Sequence, residues 1–178
     1  QYSFFFDEEA GLLRVGDIIR QDATSVERSI EQIDHGQIRR GVTGRISSAW
    51  FADPEELGFP VQHVLILSEV GDLPAWRIAQ ETSDEHVWAI HVHGRSAKRE
   101  ETLRGVIPLA RVGVTNLVMN YRNDDGAPAA PDGKYGLGVA EARDVESAIE
   151  YAVRSGAQSI ILFGWSMGGT AVLLAAEQ

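Results

Sequence analysis

The sequence contains no cysteine. That absence removes a disulfide framework, a thiolate metal site and a cysteine nucleophile together. It does not fix the compartment, because many exported proteins also lack cysteine. Positive charge is scarce: 16 Lys and Arg stand against 26 Asp and Glu, giving a net charge of −10 and a pI near 4.9. Such a surface repels a phosphate backbone, so nucleic-acid binding is not expected. No apolar run approaches the ~20 residues that cross a bilayer as a helix. No signal-peptide pattern stands at the start, so a cytoplasmic place is the expectation. An upstream targeting or membrane segment is the alternative, because the chain opens on Gln1 rather than Met. Internal repeats, low-complexity tracts and dividing linkers are also missing.

What is present suits one domain spanning residues 1–178, long enough to bury a sizeable core. Residues 1–41 read as an N-terminal extension. In it, YSFFF (2–6) is a short apolar run of strand type. Val26, Ile30 and Ile33 recur at helical spacing between Thr24 and His35, and Gly36 is placed to end a helix, so a short surface helix is expected there. Residues 42–85 read as antiparallel strands: VTGRISSAWF, VQHVLILSEV and PAWRIAQ, parted by turns at Asp53-Pro54 and at Gly71-Asp72-Leu73-Pro74.

From residue 86 the pattern changes. HVWAIHV (86–92), NLVMNY (116–121) and SIILFG (159–164) are apolar runs. Between them, Leu103, Val106, Ile107 and Ala110 mark one helical face, and Val145, Ala148, Ile149 and Ala152 mark another. A third helix starts near Gly168. Strands alternating with helices predict βαβ units, hence a parallel sheet with helices on both faces.

The segment Gly164-Trp165-Ser166-Met167-Gly168-Gly169 follows the third run and opens the third helix, the context that G-x-S-x-G requires. A serine turned sharply between strand and helix needs a strained backbone, and glycine two positions either side removes Cβ atoms that would clash. Ser166 then stands at the carboxyl edge of the sheet, where the helix N-terminus favours a developing negative charge. The N–H of Met167 is poised as one oxyanion donor. The competing reading is a glycine-rich turn with a surface serine.

With these landmarks the sequence resembles the α/β-hydrolase superfamily, and within it bacterial proteins of uncertain substrate. His91-Val92-His93-Gly94-Arg95 ends a strand where such enzymes carry an oxyanion loop; Tyr121-Arg122-Asn123-Asp124 follows the next strand; GWSMGG makes the elbow. The resemblance covers roughly residues 60–178. It implies a three-layer α/β-hydrolase fold, antiparallel N-terminal strands leading into a parallel sheet flanked by helices. It also implies a second oxyanion donor at the N–H of Arg95 or Gly94, a serine hydrolase acting on an acyl compound, a carboxylic ester first, and no metal or organic cofactor. The partner implied is a small-molecule acyl substrate; the oligomeric state is left open. A serine peptidase of the same fold and a non-catalytic binding or assembly module are the alternatives.

The family's triad runs Ser, then Asp or Glu, then His. After Ser166 only MGGTAVLLAAEQ follows, with no His and no Asp, and Glu177 lies too far along the helix to serve. The expectation is therefore that the 178 residues are the N-terminal part of a longer hydrolase, incomplete as a fold and inactive alone, with acid and base beyond residue 178.

The five histidines all precede Ser166. His35 and His63 read as structural, and His86 lies at the start of its strand. His91 and His93 share a strand face as metal-binding pairs do, yet no third ligand accompanies them. His93 is expected to shape the oxyanion loop and border a substrate pocket. Asp124-Asp125-Gly126 and Asp132-Gly133-Lys134 read as turns, and no phosphate loop or dinucleotide fingerprint is complete. Trp50, Trp76 and Trp88 are core or interface residues; Trp165 contacts either substrate or a neighbouring strand.

Overall fold

The computed structural model describes residues 2–7 and 10–177. The chain divides into two compact units, Gln1–Ala52 and Asp53–Gln178.

In the first unit, β1 (Tyr2–Phe6), β2 (Gly11–Gln21), β3 (Val26–His35) and β4 (Gly44–Ser47) form an antiparallel sheet in the order β3-β2-β1-β4. Phe5 and Leu12 are buried together with Ala49, while Phe6, Leu13 and Val15 form a second cluster. The β2–β3 turn is made by Asp22, whose carboxylate accepts from the N–H groups of Thr24 and Ser25 at 2.8 and 2.9 Å and from both hydroxyls.

The helix expected between Thr24 and His35 is instead the strand β3. Its register explains the misleading spacing. Val15 pairs with Ile30, Arg14 with Gln32 and Leu13 with Ile33, so Glu31 is an extra residue. Such a bulge resets the two-residue alternation. Ile30 and Ile33, three apart, therefore fall on one face of a strand, where three-residue spacing ordinarily signals a helix.

The second unit holds a five-stranded sheet in the order β5-β6-β8-β7-β9. Its strands are β5 (Val61–Ser68), β6 (Gly71–Ile78), β7 (Asp84–Val92), β8 (Val114–Met119) and β9 (Ser159–Gly164). β5, β6 and β8 pair antiparallel; β8, β7 and β9 pair parallel. β4 pairs with β1, so the segment read as one antiparallel set contributes to two sheets. Gly71 to Pro74, expected as a turn, opens β6. Pro74 is tolerated because the ladder to β8 begins one residue later, at Ala75 opposite Met119.

Helices α1 (Leu103–Arg111), α2 (Val139–Arg154) and α3 (Met167–Ala176) alternate with the parallel strands. Trp88, Ile90 and Val92 of β7 and Leu117 and Met119 of β8 are buried with Val145, Ala148 and Ala152 of α2 and Ala171 and Ala175 of α3. The intervening His91 points the other way: a Cβ at Gly105 of α1 would stand 3.4 Å from its ring. Helices thus cover both faces of this sheet. The chain leaves β7 for β8 on one side and later reaches β9 on the other. In open α/β sheets that reversal opens a crevice at the carboxyl ends of the strands.

Candidate active site

Two strand ends meet at this crevice. Ser166 sits between β9 and α3 with φ 53° and ψ −117°, a backbone region that residues with a side chain rarely occupy. The local packing enforces it. A Cβ at Gly164 would lie 2.4 Å from the Gly168 carbonyl oxygen, and one at Gly168 would lie 2.4 and 2.5 Å from the oxygens of Val92 and His93. Both glycines are therefore steric requirements. The Trp165 N–H donates to Val92 O at 2.9 Å, tying the turn to the end of β7. Ser166 itself is exposed, at the first turn of α3.

The end of β7 lies against this serine. A Cβ at Gly94 would stand 3.1 Å from Ser166 Cβ and 3.8 Å from its Oγ. The Gly94 carbonyl accepts from Tyr121 Oη at 2.9 Å, from His93 Nδ1 at 3.0 Å and from the Ala97 N–H at 3.2 Å. A hollow of about 360 Å³ opens beside Arg95, lined also by Gly133, Lys134, Tyr135 and Leu137.

His93 does not reach the serine with a free nitrogen. It is fully buried, and its Nε2 meets Asp124 Oδ2 at 2.8 Å while Nδ1 is taken by Gly94 O. Asp124, expected only as a turn residue, is therefore half of a buried His–Asp pair. The same Oδ2 also accepts from the Tyr121 N–H at 2.8 Å. His91 is likewise buried, on the α1 side. Asn116 Nδ2 donates to Val114 O, which fixes its Oδ1 as the acceptor for His91 Nε2–H at 2.9 Å. Burial pushes the His91 imidazole down to about 4, with the Asn116 bond pulling weakly upward, so the ring is neutral. His86 Nδ1 lies 3.2 Å from Gly156 O, and His63 lies 3.5 Å from Glu55. Among the described residues no group of three or more His, Cys, Asp or Glu could hold a metal ion.

Trp165 lies under the Arg104 guanidinium, 4.2 Å from its ring centroid, and beside Gly105. Its ring packs towards α1. Trp76 and Trp88 are buried, and Trp50 stacks with Arg14 at 4.5 Å.

Behind the site, sequence reasoning missed a polar scaffold. Glu141 accepts from the N–H groups of Gly136 and Gly138, each at 2.8 Å, fixing the loop that enters α2. Asp144 binds Arg122. A signal for both existed: Glu141 and Asp144 precede Val145 and Ala148 by four residues, which puts two carboxylates on the buried stripe of α2.

A protein-family model described as a domain of unknown function (DUF8805) matches residues 1–47. No curated protein matches the chain. Solved structures do. The Pyrococcus furiosus esterase Pf2001 is 23% identical with a TM-score of 0.57, over 68% of this chain and 48% of that one. The metagenomic carboxylesterase EstE1 is 18% identical with a TM-score of 0.52, over 71% and 49%. XC6422 of Xanthomonas campestris, an α/β serine hydrolase without a lid, is 22% identical with a TM-score of 0.52, over 67% and 57%. The chain has an α/β-hydrolase fold. It spans about half the length of the solved structures it matches.

Proposed function

We propose that the natural protein is a serine hydrolase of acyl compounds, with a carboxylic ester as its first substrate class. The observation that carries this reading is the exposed Ser166, held at φ 53° between two glycines whose side chains would clash, at the start of α3 and against Gly94. Ser166 Oγ attacks the carbonyl carbon, and the N–H groups of Met167 and Arg95 receive the negative charge on the carbonyl oxygen. Collapse of the tetrahedral adduct expels the alcohol and leaves an acyl-serine, which water then hydrolyses. A histidine takes the serine proton and passes it to the leaving oxygen.

That histidine and its carboxylate partner are proposed to come from chain beyond residue 178. Three observations support this. The chain spans about half of its structural neighbours. β9, apolar in sequence, pairs only with β7 among the described strands. On α3, Leu173 is 70% exposed. An ester agrees with two of the neighbours named above, an esterase and a carboxylesterase, and no metal or cofactor enters the scheme.

One observation favours a second reading, a binding module on a hydrolase scaffold: among the described residues no histidine hydrogen-bonds Ser166. A fluorophosphonate probe on the full-length natural protein separates the two. Labelling that disappears in Ser166→Ala supports the hydrolase; an unlabelled full-length protein overturns it. Residues 1–178 alone are expected to stay unlabelled.

A further inference from the structure

We propose that Tyr121 is a positioning residue for the oxyanion site: its hydroxyl, together with the His93–Asp124 pair, locks the Gly94 carbonyl inward and so presents the Arg95 N–H to the reacting oxygen at Ser166. The inference rests on the reading of Ser166 as a nucleophile, and it adds a residue that does not touch substrate.

The argument starts from the peptide joining Gly94 to Arg95. In a trans peptide the N–H points opposite to the C=O, and no cis peptide occurs among the described residues. The Gly94 carbonyl faces the buried Tyr121 hydroxyl at 2.9 Å. The Arg95 N–H therefore faces away from the interior, on the side of the crevice. Were this peptide turned over, a carbonyl oxygen would stand where the N–H now stands, and its partial negative charge would oppose a developing oxyanion. Glycine at 94 allows the close approach of Ser166, whose Cβ an added Cβ would meet at 3.1 Å, and glycine resists such a turn least of all residues. Something outside the loop must hold it.

Three donors do so. Besides Tyr121 Oη, the carbonyl accepts from His93 Nδ1 at 3.0 Å and the Ala97 N–H at 3.2 Å. A carbonyl has two lone pairs, so three donors over-determine its direction. The donors are themselves fixed. His93 Nε2 lies 2.8 Å from Asp124 Oδ2, which also accepts from the Tyr121 N–H. The His93 and Tyr121 rings stack at 4.2 Å, 18° from parallel, and Tyr135 packs edge-on against Tyr121. Burial raises the Tyr121 phenol, with the Asp124 charge adding to it, so the hydroxyl remains a donor at every working pH. The end of β8 thus sets a peptide at the end of β7.

The test is Tyr121→Phe in the full-length natural protein, which keeps the ring stack and removes one donor. With a p-nitrophenyl ester, kcat is expected to fall ~10-fold or more with KM unchanged, somewhat less than loss of an oxyanion donor itself. Affinity for an alkyl boronic acid, whose tetrahedral adduct places an oxygen in the same site, should fall in parallel. A merely structural tyrosine would lower the unfolding temperature and leave both ratios alone. Unchanged kcat and boronate affinity per folded molecule, or a change in KM only, overturns the proposal. Should Tyr121→Phe fail to fold, Asp124→Asn removes the carboxylate that faces His93 Nε2 and is read by the same two ratios. A wild-type protein without esterase activity would sink the reading of Ser166, and the clamp is then judged by NMR. The Arg95 amide resonance must move in Tyr121→Phe; an unmoved resonance overturns it.

Discussion

Arg122 closes a two-pronged ion pair on Asp144: Nε lies 2.9 Å from Oδ2 and Nη2 lies 2.8 Å from Oδ1. The Arg122 backbone N–H reaches the same Oδ2 at 2.9 Å, and Nη2 also reaches Glu69 at 2.9 Å. Asp144 is fully buried on α2, while Arg122 follows β8 and Glu69 sits in the β5–β6 turn. One guanidinium therefore joins three elements next to Tyr121. The carboxylates hold its proton even more firmly than usual.

Breaking this pair should be costly. Arg122→Met leaves the Asp144 charge buried without a partner, and a loss of about 3–5 kcal/mol is expected in urea unfolding. Arg122→Lys should recover little, because one ammonium cannot span both oxygens. Asp144→Leu added to Arg122→Met should recover only part, since the backbone N–H of residue 122 would lose its acceptor. Full recovery would show that the pair alone mattered.

Gly168→Ala is expected to destabilise by about 3 kcal/mol, the upper end for over-packing. Its Cβ would meet two backbone oxygens, Val92 and His93, at 2.4 and 2.5 Å, so α3 would have to retreat from β7. Thermal unfolding measures this, and a neutral substitution would contradict the tight approach of α3 to the sheet.

Gly105→Ala should act in the opposite direction. Gly105 lies inside α1, and the nearest atoms to an added Cβ are the His91 ring at 3.4 Å and Trp165 at 3.8 Å, ordinary contact distances. A gain of about 0.5–1 kcal/mol is expected from the better helix former. A loss of stability would mean that the ring of His91 cannot yield at all.

Acid sensitivity should carry a contribution from His91. Its imidazole is pushed from 6.5 down to about 4 by burial. Between these values the unfolded chain binds a proton that the folded chain refuses, so stability rises with pH across the window and is lost on acidification. The difference amounts to about 3 kcal/mol. Urea unfolding at pH 7 and pH 4.5, compared between wild type and His91→Phe, isolates it. Identical pH slopes in the two proteins would rule His91 out.

Much of the second unit was legible because its signals are local. The runs at β7, β8 and β9 are too apolar to be anything but sheet strands, and the spacing in α1 and α2 is regular. Glycine marked the elbow. Elsewhere local signals misled. The bulge at Glu31 gave β3 the spacing of a helix, and Pro74 looked like a breaker because the end of the β6–β8 ladder cannot be read from one strand. Asp124 looked like a turn residue, since its partner His93 lies 31 positions away.

The sequence by itself determined the elbow. Gly164, Ser166 and Gly168 are close in the chain, and the clash a side chain would cause at Gly164, against Gly168 O, follows from the strand–turn–helix that contains them; the clash at Gly168, against Val92 and His93, needs β7 as well. Only the tertiary structure decided what surrounds that serine. Tyr121 meets Gly94 across 27 positions and Arg122 meets Asp144 across 22. Both meetings depend on β7 and β8 lying parallel in one register and on α2 packing beneath them. Side-chain hydrogen bonds form over about 3 Å, and no periodicity in a sequence specifies which distant residues a sheet will bring that close.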